Sequence, residues 1–344
     1  MQLTAPLQMC NLNRMARVRL TQIDGKLPNL ALMKLSHWHK AQGDEVYFTN
    51  SAERDLFEPA DYDIVYGSAI FSFSKKKQDI FLRNFPNAIL GGTGSGNLTT
   101  VEQHLDLSRY EHFDYDIYPE FEHSIGFSQR GCRLKCKFCV VSKKEGKNVD
   151  NDSIYRIWRG EPYPKKIVLL DNDFFGQPDW ERKAEEIIEG KFKINFNQGI
   201  NIRLIDDNAA STLPKIKYYD INFKARRLYT AWDNLGDEKI FIRGVEKLRE
   251  HGIPPRHLFV YMLIGYKPNE TWDDILYRFN MLVDLGCRPY PMVYDNKDKE
   301  LKKFQRWVVT RLYQFVKWED YSTSKKSQKR IATRQLDLVG ENLL

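Results

Sequence analysis

Three cysteines lie close together near the middle of the chain, in the segment HSIGFSQRGCRLKCKFCVV at residues 123–141. Cys132, Cys136 and Cys139 are separated by three and then by two residues. Three thiolates can hold three irons of a four-iron, four-sulfur cluster and leave the fourth iron open to another ligand. The same spacing is compatible with a zinc site, which usually has four protein ligands, or with unligated thiols. The spacing therefore favours a cluster and leaves these two alternatives open.

The composition is that of an ordinary globular protein. With 344 residues and 42% hydrophobic content, the chain is long enough for one large domain or two medium ones. The net charge of +7 permits a polyanionic partner without requiring one. No apolar run approaches the roughly 20 residues of a membrane span, and the N-terminus lacks the apolar core of a signal peptide. Five cysteines, an odd number, do not suggest a disulfide framework. We therefore predict a cytoplasmic protein without a membrane partner.

The first third of the chain alternates strand and helix patterns, which is typical of a parallel sheet with crossovers. Strands are predicted at 17–23, 45–50, 62–70 and 87–90, and helices at 28–43 and 75–84. These patterns predict an α/β fold that begins with a small doubly wound parallel-sheet domain over residues 15–110. Residues 1–14 are predicted as an N-terminal extension that need not be ordered, and the acidic, aromatic segment 111–122 as a linker.

Six strand patterns separated by helix patterns begin with the segment that carries the cysteines. The strands are HSIGFS at 123–128, KKIVLLDND at 165–173, KINFNQG at 193–199, RRLYTAWDN at 226–234, HLFVYMLIG at 257–265 and PYPMVYDN at 289–296. Their order predicts a partial (β/α)6 barrel over residues 123–298. Residues 299–321 are then predicted as an amphipathic helix, and residues 322–344 as a basic tail.

The C-x3-C-x2-C motif, with Phe138 just before the last cysteine and five further strand and helix units after it, resembles the radical S-adenosylmethionine (SAM) superfamily. The resemblance implies a [4Fe-4S] cluster on Cys132, Cys136 and Cys139, whose free iron binds SAM. It also implies reductive cleavage of SAM to a 5′-deoxyadenosyl radical, which removes a hydrogen atom from a substrate. An electron donor such as flavodoxin or ferredoxin is implied as well. The motifs do not identify the substrate, which is a small molecule or a nucleic acid.

The first domain is similar to the cobalamin-binding-like domain that precedes many radical SAM barrels. The points of likeness are the segment PNLALMKLSHWHKAQGDEV at 28–46 and the turn at Gly91 and Gly92. The Asp-x-His-x-x-Gly loop that supplies a lower axial histidine to cobalamin is absent. We therefore do not expect cobalamin to bind, and we predict that His37 and His39 are surface or packing residues.

The resemblance to radical SAM enzymes also implies cofactor-binding residues at the ends of the predicted strands. Polar groups after the second strand usually hold the amino group of SAM, and the third, fourth and fifth strands supply contacts to its carboxylate, ribose and adenine. In this sequence the matching residues are Phe138 in the cysteine segment, Asp171, Asn172 and Asp173 after the second strand, Gln198 and Arg203 after the third, Asp233 after the fourth, and Ile264 and Gly265 after the fifth.

Each of these residues also has a purely structural interpretation. Asp171 and Asp173 are suited to capping the segment that follows them. Arg203 is suited to pairing with one of the aspartates at 206–207, and Asp233 to a turn. Carboxyl ends of barrel strands are where active sites lie, but not every residue there is used. Both interpretations therefore stay open at this stage.

Two alternatives apply to the whole protein. The first is a nucleic-acid-binding protein whose cysteines hold a structural metal, with a basic face on the last helix formed by Lys302, Lys303, Arg306 and Arg311. The second is an inactive barrel that serves as a scaffold for a partner. The remaining cysteines, Cys10 and Cys287, are too few for a second four-iron cluster, and we predict that Cys287 is a small buried hydrophobic residue.

Overall fold

The computed structural model describes residues 15–146, 149–150 and 152–322, and the predicted extension and nearly all of the basic tail lie outside these ranges. The chain forms two compact units, of which the first ends at Glu122 and the second begins at His123. In the part of the chain that the structure describes, no helix is both long enough and apolar enough to cross a membrane.

The first unit contains a four-stranded sheet in the order β2-β1-β3-β4, in which all neighbouring strands are parallel. Its elements are β1 (Arg17–Gln22), α1 (Leu30–Ala41), β2 (Glu45–Thr49), β3 (Ile64–Ser68), α2 (Lys75–Asn84), β4 (Ile89–Gly91) and α3 (Val101–His104). Val18 and Leu20 on the central strand β1 are completely buried. The predicted strands and helices of this region therefore form, and they build a mixed α/β unit with a parallel sheet.

The segment 111–122, which the sequence suggested as a linker, packs within the first unit. The Ser36 hydroxyl of α1 donates a hydrogen bond to Asp114 at 2.6 Å. The Tyr118 hydroxyl donates a hydrogen bond of 2.6 Å to the side chain of Gln22 at the end of β1. Two of the segment's side chains thus bond to α1 and to the end of β1.

The two histidines of α1 are packing residues, as predicted. His39 is buried, and its two ring nitrogens lie 2.7 Å from Asp44 and 3.3 Å from the Tyr66 hydroxyl. His37 lies 2.7 Å from the Tyr110 hydroxyl. Both rings are therefore engaged with side chains of the first unit.

The second unit contains two parallel sheets, β10-β9-β8-β5 and β11-β12-β13, and a short antiparallel pair, β6-β7. Its elements are β5 (Ser124–Gly126), β6 (Gln129–Arg130), α4 (Val141–Lys144), β7 (Val149–Asp150), α5 (Ile154–Ile157), β8 (Lys166–Leu169), α6 (Trp180–Glu189), β9 (Lys193–Phe196), α7 (Asp207–Thr212), β10 (Lys217–Tyr218), β11 (Leu228–Ala231), α8 (Glu238–Glu250), β12 (Leu258–Ile264), α9 (Trp272–Asp284), β13 (Arg288–Val293) and α10 (Lys299–Val309).

All six predicted strands form, as β5, β8, β9, β11, β12 and β13, and each pairs in parallel with a neighbour. They are divided between the two sheets, which are linked where the Ile200 N–H donates a hydrogen bond of 2.7 Å to the Tyr229 carbonyl. Because all the strands of a parallel sheet point the same way, their carboxyl ends lie at one edge of it. The closed arrangement of a partial barrel stays a prediction.

Successive side chains along a strand point to opposite faces of the sheet. On β12, the residues Leu258, Val260, Met262 and Ile264 are fully buried in one hydrophobic core with the helices. The intervening Tyr261 instead contacts the aromatic rings of β11 and β13. The helices therefore cover one face of the sheet, and the carboxyl ends of the strands remain to carry polar side chains.

The last helix is shorter than the predicted span of 299–321, because α10 ends at Val309. Arg311 adopts a left-handed backbone conformation, with φ of 60°, and a single 3-10 turn follows it. The apolar face of α10 packs through Phe304 and Trp307 against Phe279 of α9. The amphipathic pattern thus marks a real packing face, but the left-handed residue stops the helix.

Candidate functional site

The three cysteines lie in one loop, residues 127–146, which follows β5 and which we call the cysteine loop. The side chains of Cys132, Cys136 and Cys139 are all partly buried, and the Cys139 N–H donates a hydrogen bond of 3.0 Å to the Cys136 carbonyl. Burial raises the pKa of Cys132, and Asp173 and the other two thiols raise it further, against one opposing backbone hydrogen bond. The three thiols are therefore close enough to influence one another electrostatically.

Asp171, which follows β8, fixes the start of the cysteine loop. It is buried, with 3% of its surface exposed. It accepts hydrogen bonds from the backbone N–H groups of Ser128 and Gln129 at 2.7 and 3.3 Å, and a further one from the Ser128 hydroxyl. Burial raises the pKa of Asp171 to about 6, although these bonds and the charge of Lys183 oppose the shift. The carboxylate is thus directed at the loop and not at solvent.

The next two residues hold the middle and the end of the same loop. Asp173 accepts two hydrogen bonds from the Arg133 guanidinium, at 2.7 and 3.0 Å, in the bidentate geometry that strengthens such pairs. Asn172 donates a hydrogen bond of 3.1 Å to Glu145, which also accepts one from the Gly131 N–H at 3.1 Å. We call Asp171, Asn172 and Asp173 the strand-end triplet, because all three bond to the cysteine loop from the end of β8.

Arg203, in the turn after β9, lies beside the cysteines. Its Nη1 is 2.8 Å from the Asp237 carboxylate, and its guanidinium lies close enough to the Cys136 thiol to interact with it electrostatically. Burial lowers the pKa of Arg203, but Asp237 and Cys136 more than offset this effect, so that the pKa lies above the usual arginine value. The alternative partners are engaged elsewhere, since Asp206 caps α7 and Asp207 pairs with a lysine of α8. Arg203 therefore belongs to the cysteine site.

No group of three or more His, Cys, Asp or Glu side chains in the described residues is placed to hold a metal ion. Ligands of a single zinc ion must converge on one point, at about 2.3 Å each for cysteine sulfur. The cysteines of an iron–sulfur cluster bind different irons and need not converge in this way.

Comparison with known families agrees with this geometry. Residues 127–282 match the model of the Radical SAM superfamily. The chain contains a radical SAM domain. The match spans the cysteine loop, the strand-end triplet and the strands β8, β9, β11 and β12. A domain of this superfamily indicates an enzyme, and enzymes of the superfamily use an iron–sulfur cluster and SAM. No curated protein sequence matches the chain.

Within the radical SAM domain, Asp233 follows β11 and is half-buried. Its Oδ1 accepts a hydrogen bond of 2.8 Å from the Leu263 N–H, and its Oδ2 has no hydrogen bond to a residue that the structure describes. Burial raises the pKa of Asp233, while the Leu263 hydrogen bond and the charges of Arg278 and Arg203 oppose the shift. One oxygen is thus held by the backbone, and the other is available to a ligand.

The other residues predicted to contact SAM, which follow the third and fifth strands, differ in their exposure and hydrogen bonding. Gln198 is exposed and makes no hydrogen bond to a described residue. The side chain of Ile264 is fully buried in the core, because alternation along β12 puts it on the helix-covered face. The Gly265 N–H donates a hydrogen bond of 2.6 Å to Glu270. The predicted adenine turn can therefore offer only backbone atoms at residues 264 and 265.

Phe138 connects the cysteine loop of the radical SAM domain to two other strand ends. Its ring is 40% exposed and meets the Tyr266 ring edge to face, with centroids 5.3 Å apart. Tyr266, which follows β12, meets Tyr294, which follows β13, at 4.9 Å. The loops after β5, β12 and β13 are thus joined by a row of three aromatic rings.

Several residues of this site were not singled out from the sequence. Arg133 and Glu145 anchor the cysteine loop, but as single charged residues in a loop they carry no recognisable pattern. Gln129 is completely buried, and neither atom of its side-chain amide has a hydrogen-bond partner among the described residues; the same holds for Nδ2 of Asn201. An unsatisfied buried polar atom costs about 1–3 kcal/mol. These amides are therefore candidates for contacts to a bound molecule.

Proposed function

We propose that Cys132, Cys136 and Cys139 hold a [4Fe-4S] cluster and that the protein cleaves SAM reductively to abstract a hydrogen atom from a substrate. When bound, the cluster supplies the electron that converts SAM to methionine and the 5′-deoxyadenosyl radical. The observation that carries the proposal is the cysteine loop itself, anchored by the strand-end triplet inside a segment that matches the Radical SAM superfamily.

The chain's own residues prepare this site in two ways. Arg203 places a permanent positive charge beside Cys136 in the cysteine loop. The strand-end triplet holds the loop in place before any ligand binds, so that little conformational entropy remains to be lost on loading. The Arg133–Asp173 pair is the central part of that support.

The contacts to SAM follow from the polar groups that remain available at the strand ends. We assign the free oxygen of Asp233 to the ribose hydroxyls and Gln198 to the carboxylate, with Arg203 shared between that carboxylate and Cys136. Phe138 and its neighbouring rings supply an apolar wall. The strand-end triplet makes its hydrogen bonds to the cysteine loop, so we assign the predicted contact to the SAM amino group to the unsatisfied amide oxygen of Gln129.

The test is anaerobic reconstitution with iron and sulfide, followed by reduction in the presence of SAM. We expect about four irons per chain and formation of 5′-deoxyadenosine, with flavodoxin or ferredoxin as candidate donors. Cys136→Ser should lose both. Cys287→Ser is the matched control, because Cys287 is buried in the core far along the sequence from the loop. Stoichiometric zinc with no SAM cleavage would instead support a nucleic-acid-binding protein with a structural metal.

The substrate is the part of the proposal that needs a separate experiment. A small molecule and a nucleic acid are both compatible with the strand-end site. Mass-spectrometric comparison of small molecules and RNA from cells with and without the protein should reveal a modified species. The same comparison with Cys136→Ser identifies changes that depend on the cysteine loop.

A further inference from the structure

A cavity of about 530 Å³ lies at the amino ends of β12 and β13, opposite the strand ends that carry the cysteines. Its lining includes three arginines, Arg256, Arg288 and Arg311, together with Tyr313 and Gln314. The volume falls within the range of about 300–1,000 Å³ that is usual for small-molecule sites. The radical SAM reaction proposed above uses none of these residues.

The topology of the sheet brings these arginines together from distant parts of the sequence. Arg256 lies in the turn directly before β12, and Arg288 is the first residue of β13 and is in register with Phe259. Arg227, directly before β11, lies over the Phe259 ring with its guanidinium carbon 5.4 Å from the centroid. Because parallel strands begin at a common edge, their leading arginines gather there.

Within the described residues, no acidic side chain pairs with the three cavity arginines, and none of their guanidinium groups makes a hydrogen bond. Burial lowers the pKa of Arg288, and the charges of Arg227 and Arg311 lower it further. Burial also lowers the pKa of His257, and Arg256 and its arginine neighbours act in the same direction. The pKa values of Arg288 and His257 are thus both lowered in part by the positive charge of neighbouring arginines.

The backbone at this edge offsets only part of the repulsion. Helices α9 and α10 end beside the cavity, and the carboxyl end of a helix carries a partial negative charge worth about 0.3–1 kcal/mol to a nearby cation. That charge does not occupy the forked N–H donors of a guanidinium, which match a phosphate or a carboxylate. Arg256, Arg288 and Arg311 are all exposed, so their donors are accessible to an anion from solution.

We propose that this cavity binds a phosphate-bearing small molecule of nucleotide size, such as a nucleoside di- or triphosphate, through Arg256, Arg288 and Arg311. Several phosphates are needed to balance three cations within one cavity, and the volume leaves space for a sugar and a base beside them. Tyr313 and Gln314 also line the cavity. The cavity is a second site of the protein, separate from the cysteine loop.

The test is titration calorimetry of the full-length protein at low ionic strength, with pyrophosphate and ATP as probes. We expect saturable binding of one equivalent. Arg288→Ala should raise the Kd by about tenfold or more, since hydrogen bonds between ions are among the stronger ones. Arg288→Lys keeps the charge but loses the fork, and it should fall between the wild type and Arg288→Ala.

Arg243→Ala is the matched control, because it removes one exposed arginine from α8 without touching the cavity. It should change the Kd by less than about twofold. Arg311→Asn provides a second, independent variant, since asparagine tolerates the left-handed conformation of that position. It should weaken binding as Arg288→Ala does.

Three results would overturn the proposal. The first is the absence of saturable binding of either probe to the wild-type protein. The second is an equal loss of affinity in Arg243→Ala and Arg288→Ala, which would indicate general charge attraction. The third is a single-stranded RNA oligonucleotide that binds much more tightly than ATP and depends on Arg288, because the cavity would then belong to a nucleic-acid surface.

Discussion

The two ends of the parallel strands in the second unit use arginine in opposite ways. At the carboxyl ends, arginines pair with carboxylates, in the pairs Arg133–Asp173, Arg203–Asp237 and Arg278–Glu270. At the amino ends, the three arginines of the cavity have no acidic partner among the described residues. A paired guanidinium has its charge and donors satisfied and holds protein parts in place. An unpaired guanidinium keeps both for a ligand.

The pairs at the carboxyl ends also differ in burial, and burial sets how much each contributes. Arg278 and Glu270 are almost completely buried, with 1% and 8% of their side chains exposed. Arg278 also donates hydrogen bonds of 3.0 and 3.1 Å to the Trp232 and Leu263 carbonyls. Arg203 and Asp237 are each about a quarter exposed. Removing a partner should therefore be most costly at Arg278.

The largest expected effect comes from Glu270→Ala. It leaves the Arg278 guanidinium buried without its counter-charge, so we expect a loss of about 3–5 kcal/mol in the free energy of unfolding. Denaturant unfolding followed by tryptophan fluorescence measures this, because six of the seven tryptophans lie in the second unit. Arg256→Ala, at the opposite end of β12, should change stability by less than about 0.5 kcal/mol. Equal losses in the two variants would remove the distinction between the ends.

The next effect concerns the cysteine loop. Asp173→Asn removes the charge from the bidentate pair with Arg133, and we expect lower cluster loading and at least about a tenfold drop in SAM cleavage. Iron content and the electron paramagnetic resonance signal of the reduced protein measure the loading. Asp179→Asn is the control, because it breaks an exposed Arg–Asp pair with Arg182. A normal signal and normal activity in Asp173→Asn would show that the pair does not position the loop.

Gly176→Ala should disturb the Arg133–Asp173 pair without changing either charged residue. A Cβ at Gly176 would lie 2.5 Å from Nε of Arg133 and would also clash with the Asp173 carboxylate. We therefore expect the same spectroscopic change as in Asp173→Asn. A variant with normal loading would mean that the loop can shift without consequence.

The smallest expected effect is a pH dependence that arises at Asp171. Its pKa in the folded protein is raised to about 6, from 3.8 in the unfolded chain, so the folded state binds more protons between these values. This group therefore adds stability as the pH falls from about 7 to about 4, by up to about 1–3 kcal/mol. Unfolding of the apoprotein at several pH values should show a smaller rise for Asp171→Asn than for the wild type. Parallel curves would place the Asp171 pKa near its usual value.

The sequence predicted the parts of the second unit that depend on local patterns. The cysteine motif can be read directly from its spacing. The six strands follow from their hydrophobic pattern and the turn residues between them, so both features were found from the sequence. The length of the last helix was overestimated, because its apolar pattern continues past the left-handed residue Arg311. The segment 111–122 read as a linker because its contacts to the first unit come from residues 78 to 96 positions away in the sequence.

The strand-end triplet shows where local reasoning stops. Its polar composition at a strand end predicted a site, but its bonding partners lie 27 to 43 residues earlier in the chain. The same limit applies to Arg203, whose partner Asp237 is 34 residues away and not among its near neighbours. Contacts of this kind depend on which loops meet at the strand ends.

By itself, the sequence determined that the chain carries a three-cysteine loop followed by parallel strand and helix units, because spacing and hydrophobic period are local properties. Only the tertiary structure decided which charges are paired. Parallel strands collect residues from distant positions at two opposite edges, and the edge with the cysteines also receives carboxylates, whereas the edge with Arg256, Arg288 and Arg311 receives none that pairs with them in the described chain. Which charged side chains form ion pairs therefore depends on contacts between residues distant in sequence, and no local sequence pattern predicts it.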